Sequence, residues 1–342
     1  MGIKSNFMKT LSKVASKDIG EYIHISDFAF KYIAIDTMLY MYKYKTVMGK
    51  DWIVGFVNMI RVLKKNNVHL LFILDGKAPV QKIEEQNNRL DSREQNKDKI
   101  KIMEHAVKEY LNTGIIKDEI AIFKLDDQST KVDVEAIRSE IEKKKKQVMY
   151  VTSEDINMLL MLLDSMNIKY IKALSEAEKL CSKLCKDNVV DAVLSDDTDV
   201  VAYGTPISLK KLDNKTGVCY KMEINTLLDN ISLKYTEFLD FCIMCGTDYN
   251  KNIPGIGSMT SYKLIKEHKN IENINIKGKD ILNVDTVRKL FIDFSDCNSN
   301  ITLQYPNKPK YEDVYNFLKE NSNYNISKKD FNLMFDSNII IL

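Results

Sequence analysis

The sequence lacks a strong net charge, a long apolar run and a signal-peptide core. Its 50 Lys and Arg residues nearly balance its 48 Asp and Glu residues, so the formal charge of +2 gives no argument for a polyanionic partner. The longest apolar runs, such as residues 158–163, fall far short of the ~18 to 20 residues that cross a bilayer. Residues 1–6 carry no apolar segment. We therefore expect an intracellular protein without a membrane span.

The six cysteines are scattered along the chain and form no disulfide framework, so we expect reduced thiols. Two pairs, Cys181 with Cys185 and Cys242 with Cys245, have spacings that admit a four-thiolate zinc site. Each pair lies in an apolar, helix-like segment without a Gly-rich turn, which favours buried structural thiols. With 342 residues and 44% hydrophobic composition, the chain is long enough for one large domain or two smaller ones.

Two acidic segments, Ser175-Glu176-Ala177-Glu178 and Ser195-Asp196-Asp197-Thr198-Asp199, are separated by a predicted helix and a predicted strand. Carboxylates directed at one point repel each other, at on the order of 4 kcal/mol for two charges about 4 Å apart at an effective dielectric of ~20. A cluster of four requires bound cations or raised pKa values, and we favour a divalent metal ion. Either segment taken alone is better explained as a helix cap or a solvated face.

Three predicted strands end in aspartates. In open α/β sheets, ligands bind beyond the carboxyl ends of the strands, so we expect these acids to converge at one edge of a sheet. A single acid of this kind would be an ordinary turn residue. The strands are Tyr32–Asp36, residues 68–74 before Asp75, and residues 189–194 before Asp196 and Asp197.

Ser175 fits a helix N-cap with Glu178 as its capping-box partner. In a regular helix, Glu176 and Glu178 would point about 200° apart, because each residue turns the helix by ~100°. The two glutamates can therefore share an ion only in a loose first turn, where the helix dipole favours anions.

Residues 80–147 form a long stretch rich in Lys, Glu, Asn and Gln. This composition predicts helices that pack weakly on the core, or a partly disordered insertion, and it is compatible with a mobile cap. The stretch ends in the four-lysine run 143–146, which is typical of a solvated helix end and is also found in nuclear-localisation signals and nucleic-acid-binding segments.

The turn Gly255-Ile256-Gly257 opens a predicted helix at 259–268. Free backbone N–H groups at such a turn suit a phosphate, although Gly-rich turns also serve packing between helices. Residues 1–30 predict a mixed, helical entry, and no motif is found from residue 277 onward. Other segments with a clear period are a helix at 151–166, a strand at 168–174, a hairpin at 206–220 and a helix at 233–245.

Seven short segments follow one another along the chain: Met1-Gly2-Ile3, Ile33-Ala34-Ile35-Asp36, Leu74-Asp75-Gly76-Lys77-Ala78-Pro79, Ser175-Glu176-Ala177-Glu178, Asp197-Thr198-Asp199, Gly246-Thr247-Asp248-Tyr249 and Pro254-Gly255-Ile256-Gly257. Taken in this order, they resemble the flap endonuclease and XPG group of structure-specific 5′ nucleases. The ordered set is highly specific, whereas no single member is, and it covers roughly residues 1–90 and 150–270.

The resemblance implies an α/β fold: a mixed, mostly parallel twisted central sheet flanked by helices, which is the PIN-like 5′ nuclease core. It implies a nuclease core at residues 1–275 and leaves a C-terminal helical extension at 276–342. Within the core it implies an arch or cap insertion at 80–147 and a helix-two-turn-helix at 246–270. The insertion is longer than the usual arch of the family.

The resemblance also implies a catalytic site. Two Mg²⁺ ions about 3.5 to 4 Å apart, which Mn²⁺ would replace, activate a water and stabilise the leaving oxygen of a phosphodiester. Lys82 and Arg89 would contact the scissile phosphate. Asp36, Asp75, Glu176 and Glu178 resemble the ligands on one ion's side, and Asp197, Asp199 and Asp248 resemble those on the other ion's side. The seven implied ligands are Asp36, Asp75, Glu176, Glu178, Asp197, Asp199 and Asp248.

Further DNA contacts follow from the resemblance. Tyr42 is similar to an aromatic residue that stacks on a terminal base, although it also fits a core tyrosine. The Gly-x-Gly turn resembles a grip on the duplex backbone, often with a monovalent ion. This chain carries Ser258-Met259-Thr260 where relatives often have a cation, which predicts a weaker grip. The implied contacts are Gly2, Tyr42, Lys77, Arg93, Gly255, Gly257 and Ser258.

The resulting prediction is a monomeric, Mg²⁺-dependent 5′ nuclease that cleaves flapped or branched DNA in replication, repair or recombination, in the nucleus or another site of DNA replication. A 5′-3′ exonuclease activity is left open, and no sliding-clamp-binding motif is evident. One alternative is a haloacid-dehalogenase-like phosphatase with Asp197 as nucleophile and one Mg²⁺, which leaves Asp36 and Asp75 without a role. The other is a catalytically inactive nucleic-acid-binding scaffold of the same fold.

Overall fold

The computed structural model describes residues 2–4, 6–126, 129–303 and 311–322. In this part of the chain one sheet has the strand order β1-β7-β6-β5-β2-β3-β4. The strands are β1 (Glu21–His24), β2 (Tyr32–Asp36), β3 (His69–Leu74), β4 (Lys169–Lys172), β5 (Ala192–Leu194), β6 (Ile207–Lys210) and β7 (Val218–Glu223).

Helices cover both faces of the sheet and extend beyond it. They are α1 (Phe7–Val14), α2 (Thr37–Met48), α3 (Trp52–Lys65), α4 (Ile83–Thr113), α5 (Asp118–Ala121), α6 (Val134–Gln147), α7 (Ser153–Ser165), α8 (Ala177–Lys186), α9 (Asp199–Ala202), α10 (Ile224–Ile231), α11 (Tyr235–Cys245), α12 (Ser258–His268), α13 (Val284–Ile292) and α14 (Tyr311–Asn321).

The central strands β2, β3 and β5 are nearly continuous apolar runs because both of their faces are buried, as in other parallel sheets. In β2, Ile33 and Ile35 pack towards α2 and α3, whereas Ala34 packs towards α8. β2 pairs in parallel with β3 and with β5. The carboxyl ends of all three strands therefore meet at one edge, as the sequence predicts.

The mixed, mostly parallel sheet is confirmed: within the described sheet, β7 pairs antiparallel with both β1 and β6, and the other four strand pairs are parallel. The predicted hairpin is β6 and β7. The prediction of a mixed, helical entry at residues 1–30 was incomplete. α1 is present, but Glu21–His24 forms an edge strand against β7. Its four residues are too few to reveal a period of two.

The insertion at 80–147 is more ordered than its composition predicts. α4 runs for 31 residues and α6 packs back along it. A separate apolar cluster joins the two helices through residues such as Ile100, Met103, Ile137 and Ile141. This small core explains how a sequence so rich in charge forms stable helices.

Within the described ranges, no helix is both long and apolar enough to cross a membrane. None of the six cysteines forms a disulfide and five of them are buried, which agrees with structural thiols. Met1 of the first motif lies outside the described residues, as do residues 304–310 and 323–342 of the predicted C-terminal extension.

Candidate functional site

The strand-end acids lie together at the carboxyl edge of the sheet. Asp36 ends β2, and Ser195, just after β5, donates a hydrogen bond of 2.8 Å to its Oδ2 atom. Burial, together with the carboxylates of Asp75 and Asp197, raises the pKa of Asp36 to about 7. Burial is the larger cause and the neighbouring carboxylates add to it, so an ionised Asp36 is unfavourable at this edge unless a cation is bound.

The predicted N-cap at Ser175 was wrong. α8 begins at Ala177, and Glu176 is the N-cap residue, with an extended backbone (φ −87°, ψ 141°) and no side-chain capping bond. Asp75, beyond β3, accepts a hydrogen bond of 2.8 Å from the Ala177 N–H group and so ties the start of α8 to the strand end. Because Glu176 precedes the helix, the 200° separation does not apply, and Glu176 and Glu178 are both buried at the same site.

Lys82 and Arg89 extend from the start of α4 into the acids. The Lys82 Nζ atom pairs with Glu176, lies 3.7 Å from Glu178 Oε1 and lies 3.3 Å from Asp248 Oδ2. Arg89 Nη2 lies 2.8 Å from the same Asp248 oxygen. Although burial lowers the pKa of Lys82, the surrounding carboxylates raise it above its usual value. Both cations therefore neutralise the acids that the sequence predicts as ligands.

Asp199 is the most enclosed of the acids. It is fully buried, and neither of its carboxylate oxygens has a hydrogen-bond partner among the described residues. Burial and the carboxylates of Asp197 and Asp248 raise its pKa well above the usual value. An unpaired buried carboxylate is costly, so this position calls for a cation.

The N-terminal segment closes one side of the site. The Ile3 N–H group donates a hydrogen bond of 2.7 Å to Thr198 Oγ1. Gly2 has φ +80°, and a Cβ atom there would overlap the carboxylate oxygens of Asp197 and Asp199. Only glycine fits this approach of backbone to carboxylates.

The donors suit hard divalent cations, which bind oxygen ligands. Six of the seven acids are buried and Asp75 is exposed. In the part of the chain that the structure describes, no three His, Cys, Asp or Glu side chains are already arranged around one ion position. Since the Lys82 ammonium lies among Glu176, Glu178 and Asp248, a cation at that position requires Lys82 to move aside.

Two polar residues at the site, Tyr249 and Lys210, were not predicted as site residues from the sequence. Tyr249 donates a hydrogen bond to Glu176, and its place in the Gly246-Thr247-Asp248-Tyr249 motif was the available signal. Lys210 on β6 is buried, and its ammonium has no hydrogen-bond partner among the described residues. Burial lowers the pKa of Lys210 to about 8, opposed by nearby carboxylates such as Asp197. A lysine at the end of an apolar strand was the signal for it.

Two of the predicted DNA contacts lie against each other. Tyr42 is half-buried rather than part of the core, and the Arg93 guanidinium lies 5.6 Å from its ring centroid. Lys77 is exposed. The aromatic face and the two cations are thus within reach of a ligand at the protein surface.

The Gly-x-Gly turn is exposed, but the residue after it is not. Gly255 and Gly257 have open space where a Cβ atom would lie. The Ser258 side chain is buried and shares a hydrogen bond of 2.7 Å with Thr10. Its hydroxyl group therefore faces the protein interior.

The XPG I-region family model matches residues 167–248. The probable RAD2-like endonuclease 076L of Invertebrate iridescent virus 3 is 33% identical over 328 residues, which are 85% of this chain and 85% of that protein. Flap endonuclease 1-A of Sorghum bicolor is 29% identical over 354 residues, 95% of this chain and 83% of that protein. The solved catalytic core of Rad2 in complex with DNA substrate is 16% identical, with a TM-score of 0.68 over 97% of this chain and 98% of that chain.

A mixed sheet with buried acids at its carboxyl edge, and a likeness to the Rad2 core, define a PIN-like α/β nuclease fold. The chain belongs to the XPG and flap endonuclease family of nucleases, which hydrolyse phosphodiester bonds. Nucleases of this family generally depend on divalent metal ions.

Proposed function

We propose that the protein is a divalent-metal-dependent, structure-specific 5′ nuclease that cleaves DNA at 5′ flaps or junctions during replication, repair or recombination. The observation that carries this proposal is the cluster of buried carboxylates with Lys82 and Arg89 directed into it. A phosphatase with Asp197 as nucleophile would leave Glu176 and Asp248 without a function.

The proposed cofactor is a pair of Mg²⁺ ions, for which Mn²⁺ substitutes. Bound ions of this kind supply Lewis acidity for the attacking water and the leaving oxygen. The oxygens of Asp199, which lack partners among the described residues, support such a site. The proposed ligands are Asp36, Asp75, Glu176, Glu178, Asp197, Asp199 and Asp248.

Lys82 and Arg89 neutralise part of the negative charge of the carboxylates when no substrate is bound. Both contact Asp248, and both side chains lie at the start of α4, where they can turn to a phosphate that enters the site. Charge-assisted bonds from an ammonium and a guanidinium would then orient the scissile phosphate. Tyr42 and Arg93 would supply a stacking surface for a base beside the cut.

The proposed division of the chain places the nuclease core at 1–275, with an arch at 80–147 and a helix-two-turn-helix at 246–270. Residues 276–342 form the proposed C-terminal extension. Exposed backbone at Gly255 and Gly257 supports a phosphate-binding role for the turn, with a monovalent ion as an additional ligand.

The proposed partner is flapped or branched DNA, supported by the family's DNA-bound Rad2 structure. We further propose that the protein acts as a monomer at sites of DNA replication, without recruitment by a sliding clamp.

The proposal is tested with end-labelled flap, nicked and single-stranded DNAs in Mg²⁺ or EDTA. We expect cleavage near the flap junction in Mg²⁺ and none in EDTA. Asp197→Ala should lose turnover, whereas Asp285→Ala, which removes an exposed acid on α13, should retain it. Equal turnover by Asp197→Ala and wild type would overturn the assignment of the site.

A further inference from the structure

The N-terminal segment is locally basic in a chain that is otherwise balanced. Residues 2–17 contain Lys4, Lys9, Lys13 and Lys17 and no acid, whereas the whole chain has a formal charge of +2. Lys9 and Lys13 are one helical turn apart on α1, with about 5 to 6 Å between Cβ atoms at that spacing. The charge is therefore arranged along one side of a helix.

α1 presents these lysines outward. Phe7 and Leu11 are buried, and the Phe7 ring stacks on Phe241 at 5.4 Å between centroids. Lys9 and Lys13 are exposed, and neither forms an ion pair with any described residue. Packing thus fixes the helix while both ammonium groups remain available in solvent.

Hydrogen bonds hold α1 alongside α12. Thr10 and Ser258 share a hydrogen bond of 2.7 Å where α12 begins. At the other end, the Ser16 N–H group donates to the Asn230 carbonyl at 2.8 Å, and the Tyr262 hydroxyl donates to the Ile231 carbonyl at 2.8 Å. Both helices therefore run from the Thr10–Ser258 contact towards the end of α10.

This arrangement brings lysines to a phosphate-binding turn that has no cation of its own. The first turn of α12 is Ser258-Met259-Thr260, and the turn before it exposes Gly255 and Gly257. Lys13 is three residues after Thr10, so it lies on the side of α1 that faces α12. A phosphate backbone that follows the exposed turn and continues along α12 would pass beside the positive charge of α1.

We propose that α1 is a duplex-binding element, in which Lys9 and Lys13 bind phosphates of double-stranded DNA beside the Gly255–Gly257 turn. This inference rests on the proposed function, because it assumes a DNA substrate, and it adds an element of the protein that holds the duplex. Contacts of this kind position the duplex without reading its sequence.

The experiment measures binding of a blunt duplex without a flap by fluorescence anisotropy in EDTA, over a series of salt concentrations. Each phosphate contact contributes about 0.9 to the slope of log Kobs against log salt concentration. We expect the slope of Lys9→Gln/Lys13→Gln to be shallower by about 1.8 than that of the wild type. Lys9→Arg/Lys13→Arg should restore the wild-type slope because it keeps both charges.

The matched control is Lys31→Gln/Lys65→Gln. It removes two exposed lysines at the opposite edge of the sheet, where β2 and β3 begin, and should leave the slope unchanged. An unchanged slope in Lys9→Gln/Lys13→Gln, an equal loss in the control, or no duplex binding by the wild type would each overturn the inference.

Failure of the inference is distinguishable from failure of the proposed function. Cleavage of a flap substrate by the wild type in Mg²⁺, with no change of slope in Lys9→Gln/Lys13→Gln, overturns the role of α1 only. A shallower slope without any cleavage by the wild type supports α1 as a duplex-binding element and overturns the nuclease proposal.

Discussion

Asp36 shows how clustering acids at the site lowers the stability of the folded protein. Its carboxyl group is buried beside other acids, and its pKa of about 7 lies above the ordinary value of 3.8. The folded state therefore holds a proton on Asp36 between about pH 4 and pH 7, where the unfolded chain has already released it. The contribution of Asp36 to the free energy of unfolding falls as pH rises through this window.

This sign gives a prediction for Asp36→Asn in EDTA. From pH 4 to pH 8 the variant should gain up to about 4 kcal/mol in free energy of unfolding relative to the wild type, since it lacks the unfavourable ionisation. Urea unfolding of both proteins across this range measures the difference. Parallel stability curves would show that Asp36 titrates normally in the folded protein.

Gly2 carries a steric requirement. Gly2→Ala adds a methyl group against Asp197 and Asp199, so we expect the flap-cleavage kcat/KM to fall by about 10²-fold through misplacement of these acids. Gly278→Ala is a matched control, because Gly278 also has positive φ (+77°) but open space around it. Similar kinetics for the two variants would rule out the steric account.

At the scale of elements, the α4–α6 hairpin combines two functions. The start of α4 delivers Lys82 and Arg89 to the acids, while its second half packs with α6 on a separate apolar cluster. The hairpin core is distinct from the cluster around the sheet, which contains the single tryptophan, Trp52. The two cores can therefore lose stability separately.

Ile137→Ala tests this separation. Ile137 is fully buried in the hairpin cluster, so the truncation should cost about 2 to 5 kcal/mol locally and increase proteolytic cleavage within 80–147. The unfolding midpoint of the core around the sheet, followed by Trp52 fluorescence, should equal that of the wild type. Ile122→Ala in the same insertion should change neither measurement, because Ile122 is 84% exposed. A common shift of both probes would instead indicate one cooperative unit.

At the scale of the whole molecule, charge is balanced in number but segregated in space. Acids collect at the carboxyl edge of the sheet, and lysines without a described ion-pair partner lie along α1. The folded protein should therefore be stabilised by cations that neutralise the clustered acids and by anions that neutralise the lysines of α1.

Mg²⁺ should therefore raise the midpoint of thermal unfolding. A ligand at 100 times its dissociation constant adds about 2.7 kcal/mol to the stability of the folded state. The rise should be smaller in Asp199→Asn, which removes a buried anionic ligand, than in the wild type. In Asp285→Ala the rise should equal that of the wild type. An equal rise in Asp199→Asn would place the stabilising ion elsewhere.

Much of the fold followed from the sequence. The parallel strands, the helix after Thr152 and the acids at the strand ends depend on apolar periods and residue types within short windows. The α4–α6 hairpin was only partly predictable, because its small core joins residues more than 30 positions apart, such as Ile100 and Ile137.

The sequence by itself determined the chemical character of the site, since carboxylates beyond adjacent parallel strands share one edge whatever the loops do. Only the tertiary structure decided that Glu176 precedes its helix, that Lys82 lies among three acids and that α1 lies beside α12. These features depend on distances between segments far apart in the chain, and local periodicity carries no information about such distances.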